Sequence, residues 1–251
     1  MKYFVIGDVH GCLNQMKQAL SEAGFDPDNE NHTLISLGDN FDRGGLSRGV
    51  YKYLTHLPRV ICIKGNHEHI LEEVFSRGYM TQTDIYNGVA STIGSFSGMS
   101  KSQAIFTQDL SIELARKYSG LEKWLADMPP YFETEHYIFT HGWLPYGYYQ
   151  NRNLSLFDAA DWYEASWINT EEAIAYHCQQ VKANGADSYK TIVVGHWHTW
   201  RLHREFEDWD PLLKHGFKKD FSIYEDKENK VIGIDSCTNL SKRVNVLVVE
   251  D

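Results

Sequence analysis

Five short segments carry residue types that bind cations and move protons. They are Gly7-Asp8-Val9-His10-Gly11, Gly38-Asp39-Asn40-Phe41-Asp42-Arg43-Gly44, Gly65-Asn66-His67-Glu68, Thr140-His141-Gly142 and Gly195-His196-Trp197-His198. A lone aspartate after a strand is more often a helix N-cap than a ligand, and a lone histidine is more often a packing residue. Repetition changes that balance. Aspartates and histidines gathered in one crevice repel, or stay poorly solvated, unless cations neutralise them. Carboxylate, imidazole and amide donors together suit a first-row divalent ion such as Mn²⁺, Fe²⁺ or Zn²⁺. The set is too rich in nitrogen for a dedicated Ca²⁺ cage, and it holds no thiolate of the kind that closes structural zinc sites. An aspartate shared by two ions ~3.5–4 Å apart is the usual arrangement for phosphoryl displacement, where the bridged water loses a proton near neutral pH and attacks. Arg43 offers a planar fork for phosphate oxygens. His67 could give a proton to a leaving alkoxide, and Asp42 could orient that imidazole.

These residues can converge only if the elements before them are strands that end on one side of a sheet. Tyr3-Phe4-Val5-Ile6 reads as a strand buried on both faces, and Thr33 to Leu37 and Val60 to Ile63 as two further strands. Between and after them, Leu13 to Ala23, Val50 to Leu57 and Ile70 to Phe75 repeat apolar residues at helical spacing. This β-α-β-α-β-α opening calls for a largely parallel sheet, whose loops at the carboxyl ends of strands share one crevice. Glycine ahead of each polar residue permits the sharp exit the chain makes there. Tyr137 to Phe139, Thr191 to Val194, Lys230 to Ile234 and Val244 to Val249 read as later strands. The last two have no helical pattern between them, which predicts an antiparallel portion joined to the parallel part. One domain spanning 1–251 is expected, with a helical or irregular insert at about 78–130 and a charged, solvated excursion at about 199–230. Within the insert, Leu110, Leu114, Leu121, Trp124 and Leu125 suggest one periodic face.

Composition narrows the setting. The 251 residues are 42% hydrophobic and 23% charged, ordinary for a globular chain and unlike collagen-like or disordered sequences. No apolar run approaches the ~20 residues that span a bilayer. A net charge of −10 gives no bulk attraction to nucleic acid or anionic lipid. The N-terminus enters a strand at once, leaving no room for a signal peptide. Cys12, Cys62, Cys178 and Cys237 form no Cys-x-x-Cys pair and read as free thiols, so the expected location is cytoplasmic.

The first three segments, in that order and about 30 residues apart, resemble the signature blocks of PPP-type Ser/Thr protein phosphatases. These belong to the calcineurin-like metallophosphoesterases, and the spacing resembles their compact bacterial and phage members. His141 and His196 match the two remaining histidine blocks, and Ile234-Asp235-Ser236 resembles the strand that follows them. The resemblance implies a sandwich of two mixed β-sheets flanked by helices, with an active site at the carboxyl ends of strands. It also implies two divalent metals, Mn²⁺ first and Fe or Zn as alternatives. Carried over, Asp8 and His10 hold the first metal, Asp39 bridges both, and Asn66, His141 and His196 complete the second. His67 matches the general acid, Asp42 its partner, and Arg43 a phosphate-binding arginine, with Asn66 also facing substrate. Two departures stand out. The last block reads Trp197-His198 where PPP enzymes usually have Thr-Pro, and the wider superfamily's Gly-His-x-His block assigns His198 to the first metal. A second phosphate-binding arginine expected shortly after a tryptophan is missing at Trp167-Ile168-Asn169-Thr170, and Arg152 reads as a solvated surface residue.

The implied activity is hydrolysis of phosphoserine, phosphothreonine or phosphotyrosine in proteins by direct attack of a metal-bridging hydroxide. The alternative is a symmetrical dinucleoside tetraphosphatase or another small-molecule phosphohydrolase, which carries the same blocks. Trp143, Tyr146, Tyr148 and Tyr149 either line a substrate groove beside His141 or serve as packing.

Overall fold

The computed structural model describes residues 1–207 and 219–251. Strands β1 (Lys2–Ile6), β2 (His32–Ser36) and β3 (Val60–Cys62) alternate with helices α1 (Leu13–Glu22), α2 (Ser47–His56) and α3 (Asn66–Arg77). Five helices follow: α4 (Gln82–Asn87), α5 (Val89–Ser97), α6 (Lys101–Phe106), α7 (Gln108–Arg116) and α8 (Leu121–Asp127). Then come β4 (Tyr131–Glu133), β5 (Tyr137–Thr140), α9 (Tyr148–Asn151), α10 (Ala159–Ala165), α11 (Thr170–Asn184), β6 (Thr191–Val194) and α12 (Thr199–Phe206). The chain closes with β7 (Tyr224–Asp226), β8 (Val231–Gly233), α13 (Thr238–Ser241) and β9 (Val246–Glu250).

Two sheets result, ordered β3-β2-β1-β9 and β4-β5-β6-β8-β7. Parallel pairing joins β1, β2 and β3 in one sheet and β5, β6 and β8 in the other. The antiparallel portion expected at the end of the chain is instead spread over the edges. Strand β9 pairs with β1 in the first sheet, while β4 and β7 edge the second. A short helix, α13, separates β8 from β9, so the two last strands enter different sheets.

Why the strands look apolar throughout follows from the layering. Side chains alternate faces along a strand. Val5, Ile35, Phe139, Val193 and Ile232 point between the sheets and form one core. Their neighbours Phe4, Ile6 and Leu34 face the α1–α3 side, and Ile138, Ile192, Val194 and Val231 face the helices of the second half. Each sheet is therefore covered on both faces, at ~1.5–3 kcal/mol for each large aliphatic or aromatic side chain fully buried. The single periodic face expected across Leu110 to Leu125 does not form. Gly120, at φ +81°, starts a new helix after α7, which buries Ser111, Ile112 and Ala115 and leaves Leu110 and Leu114 exposed. No helix among the described residues is long and apolar enough to cross a membrane.

Candidate metal centre

The parallel strands of both sheets end at the same crevice. From the first sheet, β1 leads to Asp8 and His10, β2 to Asp39 and Asp42, and β3 to Asn66 and His67. From the second, β5 leads to His141, β6 to His196 and His198, and β8 to Asp235. Asp8, His10, Asp39, Asp42, Asn66, His67, His141 and Asp235 are all buried. Ligand atoms of His10, Asp39 and His67 lie within 4.8 Å of one another, as do those of Asp39, His141 and His196. Asp39 is common to both groups. Asp8 stands beside them, its Oδ2 4.0 Å from His10 Nε2 and its Oδ1 accepting a hydrogen bond from the His196 backbone N–H at 3.0 Å.

The backbone that delivers these side chains is strained. His10, Asp39, Asp42, Arg43 and His196 have φ of 47°, 51°, 68°, 58° and 57°, a region that costs non-glycine residues about 1–3 kcal/mol each. Glycine serves a purpose other than the sharp exit at Gly65. A Cβ there would sit 2.4 Å from Asp39 Oδ1, so its absence lets the third loop close on the second. Gly38 does need its freedom, with φ +98° and Gly65 N 2.6 Å from where a Cβ would be.

Hydrogen bonds fix which nitrogen each imidazole presents. His10 Nδ1–H donates to the Phe41 carbonyl at 2.7 Å, leaving the Nε2 lone pair toward Asp39 Oδ2 at 3.7 Å. His141 has both nitrogens against acceptors: Nδ1 lies 2.8 Å from the Leu37 carbonyl and Nε2 2.8 Å from Asn66 Oδ1. Burial and the nearby His196 hold the His141 pKa well below its ordinary value, so the ring is neutral and owns a single N–H for two acceptors. A cation on the Nε2 side resolves that conflict. The carboxylates make the same demand. Burial, then repulsion from Asp235 and Asp39, pushes the Asp8 pKa well up, and burial raises Asp39 as well. Burial and the neighbouring His67 lower His196 to about 4, keeping it neutral and able to ligate. The donor set thus fits divalent ions.

His67 is placed differently. Its Nδ1 lies 2.6 Å from Asp42 Oδ2, so Nε2 faces the crevice. Burial opposes its charged form, yet Asp39 and Asp42 outweigh burial and hold its pKa above the ordinary value. Arg43 reaches in from an exposed rim position, its two Nη atoms 2.8 Å from His10 Nε2 and 3.2 Å from His67 Nε2. On protonation, His67 Nε2 turns from an acceptor of that fork into a donor toward the crevice. His198 is the outlier among the nominated ligands. Its side chain is 29% exposed and its Nε2 lies 3.7 Å from Asp235 Oδ2, apart from both groups that share Asp39. Arg152 is held elsewhere, stacked over Tyr189 at 4.5 Å and bonded to the Tyr189 hydroxyl.

Sequence reasoning missed four supporting residues. Asp235 sits at a strand exit like the others, two residues after Gly233, and the rule that found them would have reached it. Glu68, given no role of its own from the sequence, is fully buried and accepts the backbone N–H groups of Asp39, Asn40 and Gly65 at 2.8–2.9 Å. Thr92 donates to Asp42 Oδ1 and accepts from the Asp42 N–H, while Thr238 donates to the Asp8 carbonyl.

A double-sheet α/β layer structure whose strand ends gather buried aspartates and histidines is the architecture of a metallophosphoesterase. Residues 1–200 match the calcineurin-like phosphoesterases, and the chain belongs to that family of hydrolases. Over 73 residues it is 41% identical to the symmetrical bis(5′-nucleosyl)-tetraphosphatase of Yersinia enterocolitica, and 40% identical to that of Yersinia pestis. The first match covers 28% of this chain and 24% of the relative, so the aligned stretch spans about a quarter of that protein. Among solved structures, a cold-active protein-tyrosine phosphatase from a psychrophilic Shewanella superposes with a TM-score of 0.60 at 16% identity, covering 100% of this chain and 75% of that one. A protein provisionally described as a diadenosine tetraphosphatase gives 0.58 at 18% identity, covering 98% and 88%. At these identities the likeness is one of fold.

Proposed function

We propose that the crevice holds two divalent ions, Mn²⁺ foremost with Fe or Zn as alternatives, and hydrolyses phosphomonoesters. The observation that supports this reading is the sharing of buried Asp39 by two groups of ligand-type atoms. Asp8, His10 and Asp39 would hold one ion, and Asp39, Asn66, His141 and His196 the other, with His198 added to the first from the rim. When bound, the ions supply Lewis acidity toward phosphate oxygens and acidify water. The chain's own residues do the rest. Arg43 presents two donors to the phosphate, Asn66 stands beside it, and His67 delivers a proton from Nε2 to the leaving oxygen while Asp42 fixes the ring. A general acid matters most for an alkoxide leaving group, which favours phosphoserine or phosphothreonine in proteins as one substrate class, with phosphotyrosine, whose phenolate leaves more readily, relying on it less. The second reading is a symmetrical dinucleoside tetraphosphate, favoured by the activity named for the Yersinia relatives. Mn²⁺-dependent release of phosphate from p-nitrophenyl phosphate and phosphopeptides tests the chemistry, and on a phosphoseryl peptide, whose alkoxide needs a proton, His67→Ala should lose at least ~10²-fold. An unchanged rate in that variant removes His67 from the mechanism.

A further inference from the structure

A cavity of about 410 Å³ opens beside the crevice, a size within the ~300–1,000 Å³ of small-molecule pockets. Its wall starts at Trp143, two residues beyond His141. At ~3.3–3.6 Å per residue, their Cα atoms are no more than about 7 Å apart. None of the candidate metal ligands lines it. Aromatic surface comes from Trp143, Tyr146, Tyr149 and Tyr176. Trp143 and Tyr149 are held in place by hydrogen bonds, while Tyr146 and Tyr176 are exposed at the rim. Trp143 Nε1–H donates to Tyr149 Oη at 3.3 Å, and Tyr149 Oη lies 3.0 Å from His177 Nδ1. The His177 Nε2–H in turn donates to the Asn229 carbonyl at 2.8 Å, so Nδ1 accepts the tyrosine proton. Tyr176 stands edge-on to Tyr149 at 5.2 Å.

The polar groups set the ligand's character. Glu172 supplies an acceptor carboxylate and Gln150 an amide with both functions. Asn169 spends its Oδ1 capping α11 through the Glu171 N–H and keeps its amino group for donation. No lysine or arginine lines the cavity, so a phosphate has no partner there, while Arg43 serves that purpose in the crevice. A second hollow shares Tyr146, Ile168 and Asn169 with this cavity and extends to Tyr163. The Tyr163 ring packs on His69 at 4.9 Å, two residues from His67. The hollow therefore continues the cavity as far as Tyr163 and His69, on the helix that begins with Asn66 and His67.

We infer that this cavity binds the nucleobase of a nucleotide whose phosphate is hydrolysed in the crevice. Flat, uncharged rings with edge donors and acceptors match an aromatic-lined wall with one carboxylate and two amides. A phosphotyrosine ring, one oxygen from phosphorus, would lie against the metal ligands, none of which lines the cavity, and would leave the amides and Glu172 unpaired. The inference rests on the phosphohydrolase reading and names its substrate class.

The probe is adenosine, which carries no phosphate, titrated calorimetrically into the full chain, with and without Mn²⁺. Saturable binding is expected, weakened about 10-fold in Tyr176→Ala, the scale of one lost base stack, and on the order of 5-fold in Glu172→Gln. In parallel, kcat/KM for a dinucleoside tetraphosphate relative to p-nitrophenyl phosphate should fall about 10-fold in Tyr176→Ala. Absent adenosine binding, or an unmoved ratio, in a protein that still cleaves p-nitrophenyl phosphate overturns the base site and leaves the phosphohydrolase standing. A ratio that falls for a phosphotyrosyl peptide instead also overturns it. Adenosine binding without any Mn²⁺-dependent hydrolysis would support the cavity while refuting the chemistry on which its role depends.

Discussion

On the first-sheet side of the crevice, His10, Asp39 and His67 are buried and each is tied by a further bond: His10 to the Phe41 carbonyl, Asp39 through its backbone to Glu68, His67 to Asp42. Across from them, His198 has a half-buried imidazole whose nearest carboxylate is Asp235 at 3.7 Å. His141 belongs to the second sheet but is tied to the first through the Leu37 carbonyl. The contrast is one of preorganisation. Outer-shell partners set ring orientation and basicity, and the first half has them while His198 does not. The strained φ values point the same way, for four of the five fall in the loops after β1 and β2.

If that contrast governs function, its effects should rank. Asp39→Asn removes the negative charge of the shared ligand and should reduce Mn²⁺-dependent phosphatase activity beyond the ~10–100-fold of an outer-shell change, measured by steady-state kinetics. Asp42→Asn should act next, through His67. The Asp42 carboxylate helps hold the His67 pKa above its ordinary value against burial. Without it the pKa falls, the ring loses its proton at lower pH, and the alkaline limb of kcat/KM shifts toward acid. A pH–rate profile that keeps its alkaline limb would separate His67 from that titration. The smallest effect is expected for His198→Ala, less than ~10-fold in activity. A loss as large as that of Asp39→Asn would make the rim as important as the floor and erase the distinction.

Much of this was legible in the sequence because the informative residues are chemically conspicuous. Asp8, His10, Asp39, Asn66, His67, His141 and His196 stand where apolar runs stop, and the structure brings their side chains into one crevice. Double burial of the first strand was readable because Phe4 and Ile6 face one core and Val5 another, leaving no polar alternation. The supporting layer was not. A carboxylate three residues into a helix, such as Glu68, looks identical whether it meets only the helix dipole or also clamps two neighbouring loops. Thr92 and Thr238 carry no pattern at all. Three-residue edge strands such as β4 and β7 are too short for alternation to register. Positive φ at His10 or Asp39 is invisible in residue type, because strain of this kind is imposed by the surrounding fold.

Anomalous diffraction from crystals of the Mn²⁺-loaded protein would test the central claim most directly. Two peaks flanking the Asp39 carboxylate, ~3.5–4 Å apart, are predicted. A single peak there, or manganese only at the exposed Glu135–His136–Asp251 group, would contradict a binuclear centre built on a shared aspartate.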